Sequence, residues 1–157
     1  MPRRPYKKVA VLNDPIYDHY EITKLIHYIM VDGKKKIAQK IVYAVLEALK
    51  ETKLDPIDVV NTAILNAAPD MEVKPKRVGG ASYLVPMETR SSRKLYLALK
   101  GIVNAARARS NKQYHTFAEK LYHELLDAYQ KQGGAVEKKQ QIEKLAESNK
   151  AFAHFKW

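Results

Sequence analysis

The chain has 157 residues, 46% of them hydrophobic, enough for one domain with a packed core rather than a disordered polymer. The absence of cysteine excludes disulfides and thiolate metal sites and fits a reducing compartment, and no apolar run approaches the roughly 20 residues of a membrane span. Its 28 Lys and Arg against 17 Asp and Glu leave a net charge of +11, which points to a polyanionic partner.

Residues 1–17 show no apolar period. With Arg3, Arg4, Lys7 and Lys8 and no acid before residue 14, they read as an extended basic arm. From Tyr20 the pattern turns helical: Ile22, Leu25, Ile26, Ile29 and Met30 form one stripe, and Gly33 is the expected C′ stop. A second helix follows, with Ile37, Ala38, Ile41, Val42, Val45, Ala48 and Leu49 inward and Gln39, Lys40, Tyr43, Glu47 and Lys50 outward. Its first turn holds Lys34, Lys35 and Lys36. A helix N-terminus already carries about half a positive charge and favours anions, so three lysines there read as a phosphate site.

Asp55-Pro56 offers an N-cap and an N1 proline to a third helix, carried by Ile57, Val60, Ala63, Ile64 and Ala67 and ended by Pro69. Residues 72–87 then read as a β-hairpin arm. Gly79-Gly80 supplies the two positive φ values of a type I′ turn, which pairs Val78 with Ala81, Lys76 with Tyr83 and Lys74 with Val85. One face carries Lys74, Lys76 and Tyr83, and Arg77 points to the other. Pro75 and Pro86 exclude the strands from the centre of a larger sheet.

Ser91 or Ser92 can cap a fourth helix reaching about Arg109. Leu95, Leu99, Ile102, Val103 and Ala106 form its buried stripe, while Arg93, Lys100 and Arg107, spaced by seven, stack on nearly the opposite face beside Arg90 and Lys94. Thr116 and Glu119 make a capping box for a fifth helix with Leu121, Tyr122, Leu125 and Leu126 inward, and Gly133-Gly134 is its expected end. A sixth, about 135–149, is sparsely apolar, with Val136, Ile142, Leu145 and Ala146. Residues 150–157 form an aromatic and basic tail. The charge is segregated: residues 89–118 hold seven basic residues and no acid, whereas residues 41–72 hold six acids and two lysines. The expected fold is mainly α: a single domain of about six helices spanning residues 1–157, with a projecting two-stranded hairpin and a basic N-terminal tail.

Nothing in the pattern argues for catalysis. The five histidines lack HExxH or other metal-site spacing, no phosphate-binding glycine loop or nucleophile elbow occurs, and the acids fall where capping and solvation explain them. No catalytic residue, metal or cofactor is expected.

Three separated motifs carry a resemblance: MVDGKKKIAQKIVY from Met30, KRVGGASYLVP from Lys76 and NKAFAHFKW from Asn149. Together with the MPRR start, they resemble the bacterial-type family of small-subunit ribosomal protein number seven over the whole length. The resemblance implies a six-helix body with a hairpin arm, primary binding to the 3′ major domain of small-subunit ribosomal RNA, and initiation of head assembly. It further implies neighbouring proteins of the small-subunit head and platform, no membrane partner, and a place on the bacterial cytoplasmic ribosome. Repression of its own messenger is a further implied role.

Carried over by position, Arg3, Arg4, Lys7, Lys8, Lys34, Lys35, Lys36, Lys76, Arg77, Arg93 and Lys94 match the family's RNA-binding regions, and Lys100, Arg107 and Arg109 extend that basic row. The hairpin tip, Val78, Gly79, Gly80, Ala81, Ser82 and Tyr83, matches the part near exit-site transfer RNA and the messenger exit path. Tyr83, Phe155 and Trp157 can either stack on unpaired bases or pack within the protein. The chain departs from the family at Lys100-Gly101, where an Arg-Trp pair is usual, and at Ser91-Ser92-Arg93-Lys94, which keeps the charges and changes the cap.

Overall fold

The computed structural model describes residues 10–155, and its first helix, α1, runs from Tyr20 to Ile29. The chain continues through α2 (Lys35–Glu51), α3 (Pro56–Ala67), strands β1 (Met71–Val78) and β2 (Ala81–Glu88), α4 (Ser91–Ala108), α5 (Phe117–Tyr129), α6 (Gly134–Ser148) and a C-terminal 3-10 turn (Lys150–Phe155). Among the described residues the architecture is mainly α, with six α-helices and one antiparallel hairpin, as the sequence predicts. Arg3, Arg4, Lys7 and Lys8 of the basic arm, and Lys156 and Trp157 of the tail, lie outside the described residues.

One core joins all six helices. Leu25 and Ile26, Leu46 and Leu49, Val60 and Ala63, Leu99 and Ile102, and Leu121 and Leu125 come from α1 to α5 in turn, and Ala135 and Val136 close it from α6. Fully burying one such Leu or Ile contributes about 1.5–3 kcal/mol. Repulsion between neighbouring like charges on a helix surface costs only a few tenths. The buried stripe therefore decides how α4 lies, and its cations go wherever that leaves them.

Several local expectations change. Helix α1 ends at Ile29 with Met30 as C-cap, so Gly33 is not its stop. Instead Asp32 and Gly33, with φ of 53° and 70°, make the turn into α2. Ile37, predicted inward, is 56% exposed because it lies in the first turn of α2 beside a surface notch. Tyr43, predicted outward, is half-buried because the segment before α1 folds over it. Its hydroxyl donates to Asp14 Oδ1 at 2.8 Å, while Oδ2 of this buried carboxylate accepts from the backbone N–H groups of Ile16 and Tyr17 at 3.1 Å each. The stretch read as an extended arm thus contains a hydrogen-bonded turn over residues 14–18, docked on α2.

Burial, with the Asp14 hydrogen bond second, pushes the Tyr43 hydroxyl up to about 12. A raised acid keeps its proton in the folded state after the unfolded chain has lost it. Its contribution is therefore whole below the unfolded value near 10 and is lost as pH rises through about 12. Tyr43→Phe is expected to cost about 1–2 kcal/mol at neutral pH. In thermal melts between pH 10 and 12 the variant should then lose stability less steeply than the parent; parallel curves would refute the coupling.

The caps follow the sequence in α3 and α5 and not in α4. Asp55 accepts from the Ile57 N–H at 2.9 Å with Pro56 at N1, and Thr116 and Glu119 form both bonds of their capping box. Two backbone N–H groups, of Thr116 and His115, hold the Glu119 carboxyl below its usual range. On α4, Arg90 is the N-cap and no side chain caps it; Ser91 and Ser92 are its first two helical residues. Helix α5 ends before Gly133-Gly134 in a Schellman turn, with Gln132 N–H bonded to the Asp127 carbonyl at 2.7 Å and Lys131 at φ 61°. Gly133 instead opens α6. Its φ is 88°, and a Cβ there would stand 3.0 Å from Asp127 Cβ, so backbone conformation and close packing both favour glycine. Leu145 of α6 is exposed where an inward position was expected; Ala135, Val136 and Ala146 take the buried side.

Gly101 sits inside α4 with nothing within 4 Å of an added Cβ. Gly101→Ala is therefore expected to stabilise by about 0.5–1 kcal/mol, through reduced backbone entropy in the unfolded chain. Urea melts would read this directly, and no gain would mean that the open space is only apparent.

The hairpin has the predicted register, with Val78 opposite Ala81, Lys76 opposite Tyr83 and Lys74 opposite Val85. Gly79 and Gly80 have φ of 56° and 91°, as a type I′ turn requires. Its base is tucked in, with Glu72, Val85 and Pro86 buried, while Gly79 to Ser82 at the tip are exposed.

Candidate nucleic-acid interface

Arg93, Lys100 and Arg107 are all exposed on α4, away from buried Leu99 and Ile102. Each is also held by the protein. Arg93 Nε donates to Glu72 at 3.0 Å, and this buried carboxylate pairs in turn with Lys74 at 3.3 Å. Lys94 pairs with Asp70, which holds the Asp70 carboxyl below its usual range. The first turn of α4 is thereby tied to the base of the hairpin.

The Arg93 guanidinium lies 4.9 Å from the Tyr96 ring centroid, and Lys100 Nζ lies 5.4 Å from the same centroid and donates to the Tyr96 hydroxyl at 3.0 Å. That bond lowers the Tyr96 hydroxyl below its usual range. Tyr28 meets Tyr96 edge-on at 5.6 Å. Tyr96 is thus a member of the basic row that the charge pattern alone misses. The available signal is its spacing: Arg93, Tyr96 and Lys100 stand at i, i+3 and i+7, one helical face.

At the other end of α4, Arg107 Nη2 donates to the Ile29 carbonyl at 3.4 Å, and its side chain lines the same notch as Lys34. The fold therefore brings Arg107, the last cation of the α4 row, to the Lys34 end of the three-lysine turn of α2. Lys34 lies 3.7 Å from Asp32 with both side chains well exposed, a pair of little energetic worth. Lys35 and Lys36 are exposed and have no acidic partner among the described residues. The first turn of α2 has no acid and no side-chain cap, so its orphan N–H groups add to the positive field. Burial, then Lys35 and Lys24, lowers His27 below its usual range in the same neighbourhood.

The hairpin face expected to lie open is partly covered by the chain's own C-terminus. Tyr83 packs against Phe152 and Phe155 at 5.1 Å and 5.4 Å, and Lys76 Nζ donates to the Phe155 carbonyl at 3.3 Å. Of the two readings of Tyr83 and Phe155, internal packing is the one this geometry supports. Arg77 remains exposed on the opposite face, near the tip.

Arg109 stands apart. Its side chain is only 17% exposed, and it donates to Glu124 Oε2 through Nε at 2.8 Å and Nη2 at 2.6 Å, with Asp127 as a second partner. Burial alone would lower its pKa, but the bonds to Asp127 and Glu124 outweigh that and raise it. Glu124 is 1% exposed, contrary to the expectation of solvated acids, and its other oxygen accepts from the Ala135 N–H at 2.9 Å. One turn earlier, buried Lys120 donates to the Arg109 carbonyl at 2.6 Å. Two polar residues on one face of α5 thus cap the end of α4 and the start of α6.

No group of three or more His, Cys, Asp or Glu able to hold a metal occurs among the described residues, and no helix there is long and apolar enough to cross a membrane. A helical body, a hairpin arm and exposed cations along α4 and at the first turn of α2 define a small basic protein shaped to face a polyanion. The family model for ribosomal protein S7p/S5e matches residues 1–150. The chain is 48% identical over 159 residues to the small ribosomal subunit protein uS7 of Sulfurihydrogenibium sp. (strain YO3AOP1), covering 100% of both chains. It is 47% identical over 156 residues to that of Pelagibacter ubique (strain HTCC1062), covering 99% of this chain and 98% of the relative. It is 49% identical over 159 residues to that of Carboxydothermus hydrogenoformans, again covering 100% of both chains. The chain belongs to the ribosomal protein S7p/S5e family, whose members are structural constituents of the ribosome and not enzymes.

Proposed function

We propose that this protein is a structural constituent of the bacterial small ribosomal subunit that binds the 3′ major domain of its RNA directly and starts assembly of the head. The observation that carries this reading is the meeting of Arg107 with Lys34, at the start of the turn that also holds Lys35 and Lys36, at the junction of α1, α2 and α4. Cations in such a cluster neutralise phosphates and release counterions, which supplies affinity. Specificity comes from matching a folded RNA shape, because the A-form major groove is too deep and narrow for side chains to read. The hairpin tip from Val78 to Tyr83, with Arg77 beside it, reaches exit-site transfer RNA and the messenger exit path, and the remaining surface meets proteins of the head and platform on the cytoplasmic ribosome. Arg3, Arg4, Lys7, Lys8, Lys76, Arg93, Lys94 and Lys100 add contacts to the RNA. When ribosomal RNA is scarce, the same surface binds and represses the protein's own messenger.

The test is a titration across salt against a 3′-major-domain fragment, beside an unrelated structured RNA of equal length. A preference of at least about 10³-fold that survives moderate salt supports the reading. Equal affinities that collapse together would reduce the surface to a non-specific basic one.

A further inference from the structure

A notch of about 240 Å³ lies between the C-terminal end of α1, the first two turns of α2, the start of α5 and the last turn of α4. Its walls include Val31, Ile37, Ile41 and Phe117, and among its lining residues the only charges are Lys34 and Arg107. Two of those walls are apolar and open to solvent: Val31 is 55% exposed and Ile37 56%. The volume is below the roughly 300–1,000 Å³ that houses a drug-sized ligand, so the notch takes a single ring or side chain.

We infer that this notch receives one unpaired base of the bound RNA, with the adjoining phosphate held between Lys34 and Arg107. The inference rests on the proposed RNA-binding role and goes beyond it, since a purely electrostatic surface needs no apolar recess. Charge complementarity selects the occupant. A nucleotide joins a flat apolar ring to an anion a short distance away, which matches an apolar recess with cations at its rim. An apolar side chain of a partner protein would leave Arg107 without an anion and Lys34 with only its exposed pair to Asp32, unless an acid stood beside it. Phe117 offers an aromatic surface to the ring. Arg107 is already oriented by its bond to the Ile29 carbonyl, and it is exposed with further N–H donors for a phosphate.

The experiment uses the full-length protein and the 3′-major-domain RNA fragment with 2-aminopurine placed singly at its unpaired adenines. Binding should change the fluorescence of at least one probe, and that change should vanish in Ile37→Ser. Ile37→Ser is also expected to weaken binding roughly tenfold with the salt slope unchanged, because it leaves every phosphate-binding cation in place. Ile37→Met, which keeps an apolar wall, should restore both signals. Ile37 is exposed, so the variant should fold, and its melting curve checks this. If Ile37→Ser binds as the parent does and every probe responds alike, the base-insertion proposal fails while the RNA-binding role stands. If the parent shows no preference for the fragment, the broader reading fails first. Loss of affinity for a ribosomal protein, with RNA affinity intact, would assign the notch to an acid-flanked side chain and overturn the proposal.

Discussion

Replacing Lys34, Lys35 and Lys36 together by alanine is expected to weaken binding to the 3′-major-domain fragment on the order of 10²-fold at moderate salt. The slope of log affinity against log salt should fall by about three, one for each phosphate that a lysine no longer neutralises. The same variant should be more stable than the parent. The three lysines stand at the N-cap and the first two positions of α2, with no acid in that turn, where each cation opposes the macrodipole by a few tenths of a kcal/mol or more. A gain in melting temperature with a loss of affinity is what a binding turn maintained against its own helix would give. Lower stability with unchanged affinity would mean that the lysines serve the fold, and the phosphate-site reading would be lost.

Glu124→Ala should be the most damaging single substitution among the polar residues. It would leave the Arg109 guanidinium with Asp127 alone and strip the buried Ala135 N–H of its acceptor. Removing one partner of a buried pair costs about 3–5 kcal/mol. For a chain of this size that is roughly 6–20 °C in melting temperature. Glu124→Gln keeps an oxygen for the Ala135 N–H and should lose less. Arg109→Ala should likewise lower stability while leaving the salt slope of RNA binding near that of the parent, the reverse of the lysine variant. Differential scanning calorimetry on the three variants tests the brace, and a loss under about 1 kcal/mol for Glu124→Ala would show that α5 does not hold α4 and α6 through it.

These two experiments separate cations that look alike in the primary structure. Arg107 and Arg109 are two residues apart, both basic, at the same end of α4. One turns outward to the three-lysine turn, and the other turns inward to a carboxylate on α5. Two residues on a helix point about 200° apart, so a basic residue beside a binding row can easily belong to the core instead. Spacing could have raised the question, since Arg109 breaks the seven-residue period of Arg93, Lys100 and Arg107. Spacing could not answer it without Glu124.

The features legible in the chain itself are those set by short-range physics. Periodic apolar residues mark six helices, two consecutive glycines set the hairpin register from Val78 and Ala81 outward, and Asp55 and the Thr116–Glu119 box mark two helix starts. The net charge and its segregation identify the kind of partner, because excess cations repel each other unless something anionic lies against them. Tertiary structure decided the rest. It buried Tyr43 against Asp14, turned Ile37 out into a notch, laid Phe152 and Phe155 over Tyr83, and made Arg109 part of a brace. Each of these outcomes depends on a partner from another element, as with Lys76 and the Phe155 carbonyl, 79 residues apart. A local pattern records which residues want burial or a counter-charge; only the packed chain determines which groups supply them.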